Sequence, residues 1–122
     1  MRLDLEQRLR EAAPTFLDAN KDVPFFERGF EIGDGWFDLL LSALQRIEQL
    51  VTVGNLPVRV SQIKTKFDEL RFYAKPNYVE PPPGHAEIFD IIRETERRAL
   101  HTCRDCGVEK ARSHNCSRLS NA

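Results

Sequence analysis

The chain has 122 residues, 41% of them hydrophobic and 30% charged, which suffices for one modest core and excludes wholesale disorder. No apolar run approaches the ~20 residues of a membrane span. The opening Met1-Arg2-Leu3-Asp4-Leu5-Glu6 alternates charge with leucine, unlike a signal peptide, so the expectation is a cytoplasmic protein that engages no membrane. The net charge of −1 conceals a gradient. Residues 1–50 carry six Lys/Arg against ten Asp/Glu, residues 51–96 six against seven, and residues 97–122 six against two. An acidic front and a basic tail fit intramolecular complementarity, an anionic partner for the tail, or simply two ordinary solvated surfaces.

In chain order, residues 3–13 read as a short helix with Leu5, Leu9 and Ala12 or Ala13 on one stripe, ended by Pro14. From Phe16 to Phe30 the chain reads as irregular, broken by Pro24 and Gly29, with Phe25, Phe26 and Phe30 as core plugs or a sticky surface. Gly33-Asp34-Gly35-Trp36 opens the clearest helix, with Asp34 as N-cap and Asp38 in the first turn. Trp36, Leu40, Leu44, Ile47 and Val51 follow helical spacing, and Gly54-Asn55-Leu56-Pro57 stops the run.

The stretch from Val58 to Lys75 alternates with period two and predicts a β-hairpin. A two-residue turn at Asp68-Glu69 would place Ile63, Thr65, Phe67, Leu70, Phe72 and Ala74 on one buried face. A loop of three to five residues is the alternative, because Asp-Glu suits a tight type I′ turn poorly. On the outer face this register sets Lys66 opposite Arg71 and Lys64 opposite Tyr73. Such like charges call for neutralising glutamates from a neighbouring helix, or for contact with phosphate or an acidic protein surface. Residues 76–84, with Pro76, Pro81, Pro82 and Pro83, read as an extended linker. His85 to Leu100 is the last helix, with Ile88, Ile91, Ile92, Thr95 and Ala99 inward. The expected fold is α+β: a hairpin, with room for a third strand, packed on two main helices. Residues 1–100 form the α+β part and residues 101–122 a knuckle and basic tail within the same single domain.

Three cysteines fall within the last part of the chain, as Cys103-Arg104-Asp105-Cys106-Gly107 and then His114-Asn115-Cys116. Two thiols separated by two residues, with glycine after the second, suit one zinc ion at about 2.3 Å per sulfur. Cys116 and His114 can complete a Cys₃His set, with His101 or water as alternatives for the fourth position. A saturated set of this kind is structural and has no open position for catalysis. The other readings of these cysteines are reduced thiols on a polar tail or a redox pair. No nucleophile–base pair, glycine-rich phosphate loop or His-Glu-x-x-His pattern occurs, so the chain is not expected to be an enzyme.

Three segments in order, Gly33-Asp34-Gly35-Trp36, Gln62 to Tyr73, and Thr102 to Gly107, resemble a group of small phage, prophage and bacterial proteins. Those proteins carry a Lys-x-Lys-Phe-Gly-x-Leu-Arg-Phe-Tyr hairpin and a terminal Cys-x-x-Cys-Gly knuckle followed by Cys-x-x-His. The resemblance spans about residues 30–116. Asp68 stands where the group has glycine, and Leu119 where it has the later histidine. The group has no settled biochemical function. What the resemblance implies is a phage or mobile-element setting. The functional expectation is a small binding protein for a host or bacterial protein partner, as an inhibitor of host defence or an immunity factor would be. Lys64, Lys66, Arg71 and Tyr73 are its candidate contact residues. The alternatives are a zinc-knuckle nucleic-acid binder using the same residues and the basic tail, and third a small metal-dependent hydrolase. A net charge of −1 weighs against phosphate binding.

Overall fold

A computed structural model describes residues 1–17 and 29–109. Phe25, Phe26, His114, Cys116 and the tail cations Lys110, Arg112 and Arg118 lie outside the described residues. The elements run α1 (Leu3–Ala12), β1 (Phe30–Glu31), a 3₁₀ turn (Asp34–Trp36), α2 (Phe37–Gly54), β2 (Val58–Lys66), β3 (Glu69–Pro76) and α3 (His85–Ala99). This is an α+β fold, with three helices on one side of a mixed sheet ordered β1-β2-β3. β1 pairs parallel to β2 and supplies the third strand, while β2 and β3 form the antiparallel hairpin.

The helices form where the apolar stripes put them. Trp36, Leu40, Leu44, Ile47 and Val51 are all buried, as are Ile88, Ile91, Ile92, Thr95 and Ala99. α2 ends because Asn55 turns into the left-handed region (φ 50°), which lets Leu56 N–H donate to Val51 C=O at 3.0 Å. At the other end Asp34 is not an N-cap. Gly33 precedes the 3₁₀ turn without any side-chain cap, and the Asp34 carboxylate accepts the Arg2 backbone N–H at 2.9 Å instead.

The hairpin turn sits one residue earlier than the sequence predicts, which moves each cross-strand partner by two positions. The two turn residues are Phe67 and Asp68, both at positive φ (52° and 64°), and Lys66 faces Glu69. Ile63 therefore pairs with Phe72, and Thr65 with Leu70. Ile63, Leu70 and Phe72 are buried, with Thr65 half-buried on the same side. Phe67 leaves that face altogether and is 85% exposed. A bulge between Val60 and Gln62 lets Val58 and Val60 share the buried face with Ile63 despite the change of parity.

Carboxylates from the helices hold the connections. Glu48 on α2 accepts the Thr15 and Phe16 N–H groups, the latter at 2.8 Å, fixing the chain after α1 so that Phe16 C=O accepts Val60 N–H at 3.0 Å. Glu6 on α1 accepts Phe30 N–H at 2.8 Å, and Glu96 on α3 accepts Phe72 N–H at 3.0 Å. In the segment before α3, Tyr78 hydrogen-bonds His85 Nδ1, and burial raises its phenol above the usual tyrosine value. No helix of the described residues is long and apolar enough to cross a membrane.

Candidate functional site: the outer sheet face and the cysteine turn

With the helices against Ile63, Leu70 and Phe72, the opposite side of the sheet carries the alternate side chains. β2 contributes Arg59, Gln62, Lys64 and Lys66, and β3 contributes Glu69, Arg71, Tyr73 and Lys75. Lys64, Lys66, Arg71 and Tyr73 thus share the outer face. Lys66 is exposed, Lys64 and Arg71 are half-buried, and Tyr73 is 45% exposed.

The pairing differs from the expected one. Lys64, not Lys66, stands directly opposite Arg71, and Tyr73 faces Gln62. The carboxylate paired with Arg71 comes from the sheet itself, from β3. Glu69 lies 2.7 Å from the Arg71 guanidinium, and Glu31 of β1 is registered beside Lys64. Five cations (Arg59, Lys64, Lys66, Arg71, Lys75) and two carboxylates (Glu31, Glu69) therefore occupy one sheet face. Arg59 is partly committed, because its guanidinium donates to the Leu56 and Val58 carbonyls at 3.2 and 2.9 Å.

The second feature is the cysteine turn after α3. Gly107 N–H donates to Cys103 C=O and Cys103 N–H to Val108 C=O, both at 2.9 Å, and Thr102 pairs with Glu109 in an antiparallel bridge. Gly107 sits at φ 80°, which only glycine adopts without strain. Cys103 is buried and Cys106 half-buried on this turn. Two thiols on one tight turn suit half of a tetrahedral zinc set. Cys116 and His114, which would supply the other half, fall outside the described residues, and His101 is exposed just before the turn. Among the described residues no group of three or more His, Cys, Asp or Glu is placed to hold a metal.

The cysteine turn and the Gly33–Trp36 segment, about seventy positions apart in sequence, dock on each other. Gly35 N–H donates to Arg104 C=O at 2.7 Å, and the buried Trp36 indole donates through Nε1 to Thr102 C=O at 2.9 Å. A side chain at Gly35 would run into this turn, its Cβ 2.1 Å from the Cys103 carbonyl oxygen. The glycine before the tryptophan is thus required by close approach of two backbones. An open cleft of about 190 Å³ lies alongside, lined by Arg2, Asp34, Asp38, Asp105 and Cys106. Arg104 reaches the other way, its Nη1 2.9 Å from Asp68 Oδ1, and so ties the turn to the hairpin tip.

The sequence pattern places Lys75 on the outer face but gives no sign of Glu31, Glu69 and Arg59 there, nor of Phe67 as an exposed residue. The available signal for Phe67 lay in the resembling motif, whose glycine coincides with the second turn position, Asp68. No protein family, curated protein or solved structure matches the chain.

Proposed function

We propose that this chain is a small non-enzymatic binding protein that engages an acidic protein partner through the outer face of its sheet. The observation that carries the reading is the alignment of Lys64, Lys66, Arg71 and Tyr73 on one face opposite the helices. Glu69 against Arg71 and Glu31 beside Lys64 interleave negative charge with positive. A mixed pattern of this kind matches a protein surface better than a continuous phosphate chain, which the carboxylates repel. In the phage or mobile-element setting that the resemblance implies, the role would be to inhibit a host defence or to act as an immunity factor, in the cytoplasm.

The test is a comparison of baits. The wild-type chain and a Lys64→Glu, Lys66→Glu, Arg71→Glu variant of equal thermal stability are used to capture proteins from a host lysate, identified by mass spectrometry. A partner held by the first and released by the second supports the reading; equal recovery refutes it. The count of five cations against two carboxylates favours a second reading, nucleic-acid binding with Tyr73 stacking on a base. That reading requires log affinity for an oligonucleotide to fall with log salt. The slope should shrink by about one unit for each phosphate contact removed by neutralising Lys64, Lys66 and Arg71.

Cys103 and Cys106 would hold a structural zinc ion, with Cys116 and His114 completing the set. The ion would fasten the turn on which Gly35 and Trp36 rest. Protein purified without chelator should contain about one zinc per chain. A Cys103→Ser, Cys106→Ser variant that keeps its full zinc content would remove the site. Zinc retained in His114→Ala would pass the fourth position to His101 or water.

A further inference from the structure

We propose that Phe67, at the tip of the β2–β3 hairpin, is the anchor of the binding surface. It would insert into an apolar pocket rimmed by carboxylates on a protein partner. The proposal rests on the sheet-face reading and adds to it a residue that the face does not include.

Phe67 is an odd residue for its position. It is 85% exposed and lies at φ 52°, in the left-handed region where a bulky side chain is strained and glycine is not. Leu3, Val53 and Val79 are also exposed apolar residues, but none of them has positive φ. A phenylalanine held in strained backbone and turned away from the core does nothing for the fold that a glycine or asparagine would not do better. Its ring is accompanied by Lys66, whose Nζ lies 5.7 Å from the ring centroid.

The tip also carries a surface ion pair to the cysteine turn. Lys66 and Glu69 close the last rung beneath it, and Asp68 is bound to Arg104 of the cysteine turn at 2.9 Å. An aromatic side chain presented on a tethered two-residue turn loses little freedom when it docks. Aromatic anchors inside a polar rim carry a disproportionate share of interface energy. The charge beside the ring is Lys66, with Lys64 and Arg71 further along the same sheet face, so complementarity calls for carboxylates on the partner. The same carboxylates that disfavour a phosphate chain, Glu69 and Glu31, tolerate a protein surface of mixed sign.

The experiment places the photo-crosslinker p-benzoyl-phenylalanine at position 67 of the full chain, with positions 53 and 79 as exposed apolar controls. Irradiation in host cells should give an adduct to one protein from position 67 and not from 53 or 79, mapping to a segment rich in Asp and Glu. With that protein purified, Phe67→Ala should weaken binding at least about 30-fold without loss of thermal stability. Arg104→Gln should weaken it less, through the tether. An adduct to a second copy of the chain, to nucleic acid, or to the same proteins from all three positions overturns the proposal, as does no adduct or undiminished binding by Phe67→Ala. The charge-reversed variant separates the two claims. If Phe67→Ala binds normally while charge reversal abolishes binding, the anchor fails and the face stands; the opposite pattern keeps Phe67 as a contact but removes the face and, with it, the acidic rim proposed for the partner.

Discussion

Gly35→Ala is the most informative single substitution. The added methyl would lie 2.1 Å from the Cys103 carbonyl oxygen, 2.6 Å from the Arg104 carbonyl carbon and 2.6 Å from the Gly107 nitrogen. All three are backbone atoms, so no side chain can swing away and the whole 103–107 turn must retreat. Retreat breaks the 2.7 Å bond from Gly35 N–H to Arg104 and strips Thr102 C=O from the Trp36 indole at 2.9 Å. The first bond is worth about 1 kcal/mol net, and the buried indole N–H left without an acceptor costs about 1–3 kcal/mol. Residual overpacking adds about 1 kcal/mol or more. The expected loss is therefore about 3–5 kcal/mol, a large share of the ~5–15 kcal/mol that holds a small domain together. At about 4 °C per kcal/mol the unfolding midpoint should fall by roughly 12–20 °C. Urea titration followed by the fluorescence of Trp36, the sole tryptophan, and by far-UV circular dichroism measures both quantities. Gly54→Ala is the control, because its added methyl meets only the Leu56 side chain, at 3.2 Å, and should change stability by less than about 1 kcal/mol. A Gly35→Ala protein within 1 kcal/mol of wild type, with Trp36 emission unshifted, would refute the close docking of the two segments.

Phe72→Ala should cost about 3–5 kcal/mol in denaturant titration, since the ring is buried against Phe16, with centroids 6.2 Å apart. Glu48→Ala should cost about 2 kcal/mol by removing the acceptor for the Thr15 and Phe16 N–H groups, and hydrogen exchange at those two amides should accelerate. Phe67→Gly should stabilise the fold by about 1 kcal/mol, because φ 52° carries a penalty for phenylalanine that glycine escapes; a lower thermal midpoint would show that Phe67 has a structural role.

The helices were legible because their signal is local. Burial repeats every three to four residues on α2 and α3, and no competing pattern interrupts it. The hairpin was legible as a hairpin but misread in register, for two reasons that alternation cannot show. Phe67 continues the period-two pattern chemically, yet its backbone is a turn. Glu69, which looked like a turn residue, is the first rung of β3, opposite Lys66. The bulge after Val60 then reverses parity upstream, so Val58 and Val60 point inward from even positions and Ile63 from an odd one. The docking of Gly35 on Arg104 left no trace in either segment alone, because a glycine demanded by a distant backbone is identical in sequence to a glycine demanded by a turn. Asp34 reads as a cap for the same kind of reason: its preference for helix starts is local, whereas its observed use on the Arg2 amide depends on where α1 lies.

How a partner can reach this sheet follows from the state of its edges. An unpaired strand edge is a template for adding another strand, and β3 and β1 are the two edges here. A helix carboxylate takes one amide on each: Glu96 the Phe72 N–H on one side, and Glu6 the Phe30 N–H on the other. β1 is only two residues long, which shortens its edge further. Strand addition would have to displace a charge-assisted hydrogen bond at either edge before making its own, so backbone pairing is a poor route for binding. Recognition is left to side chains, and the side chains that project from the sheet away from the helices are the alternating cations and carboxylates of the outer face. The hairpin tip lies at one end of that face, held there by Asp68 and Arg104. On the proposed binding role, a partner that covers the face meets Phe67 at its margin.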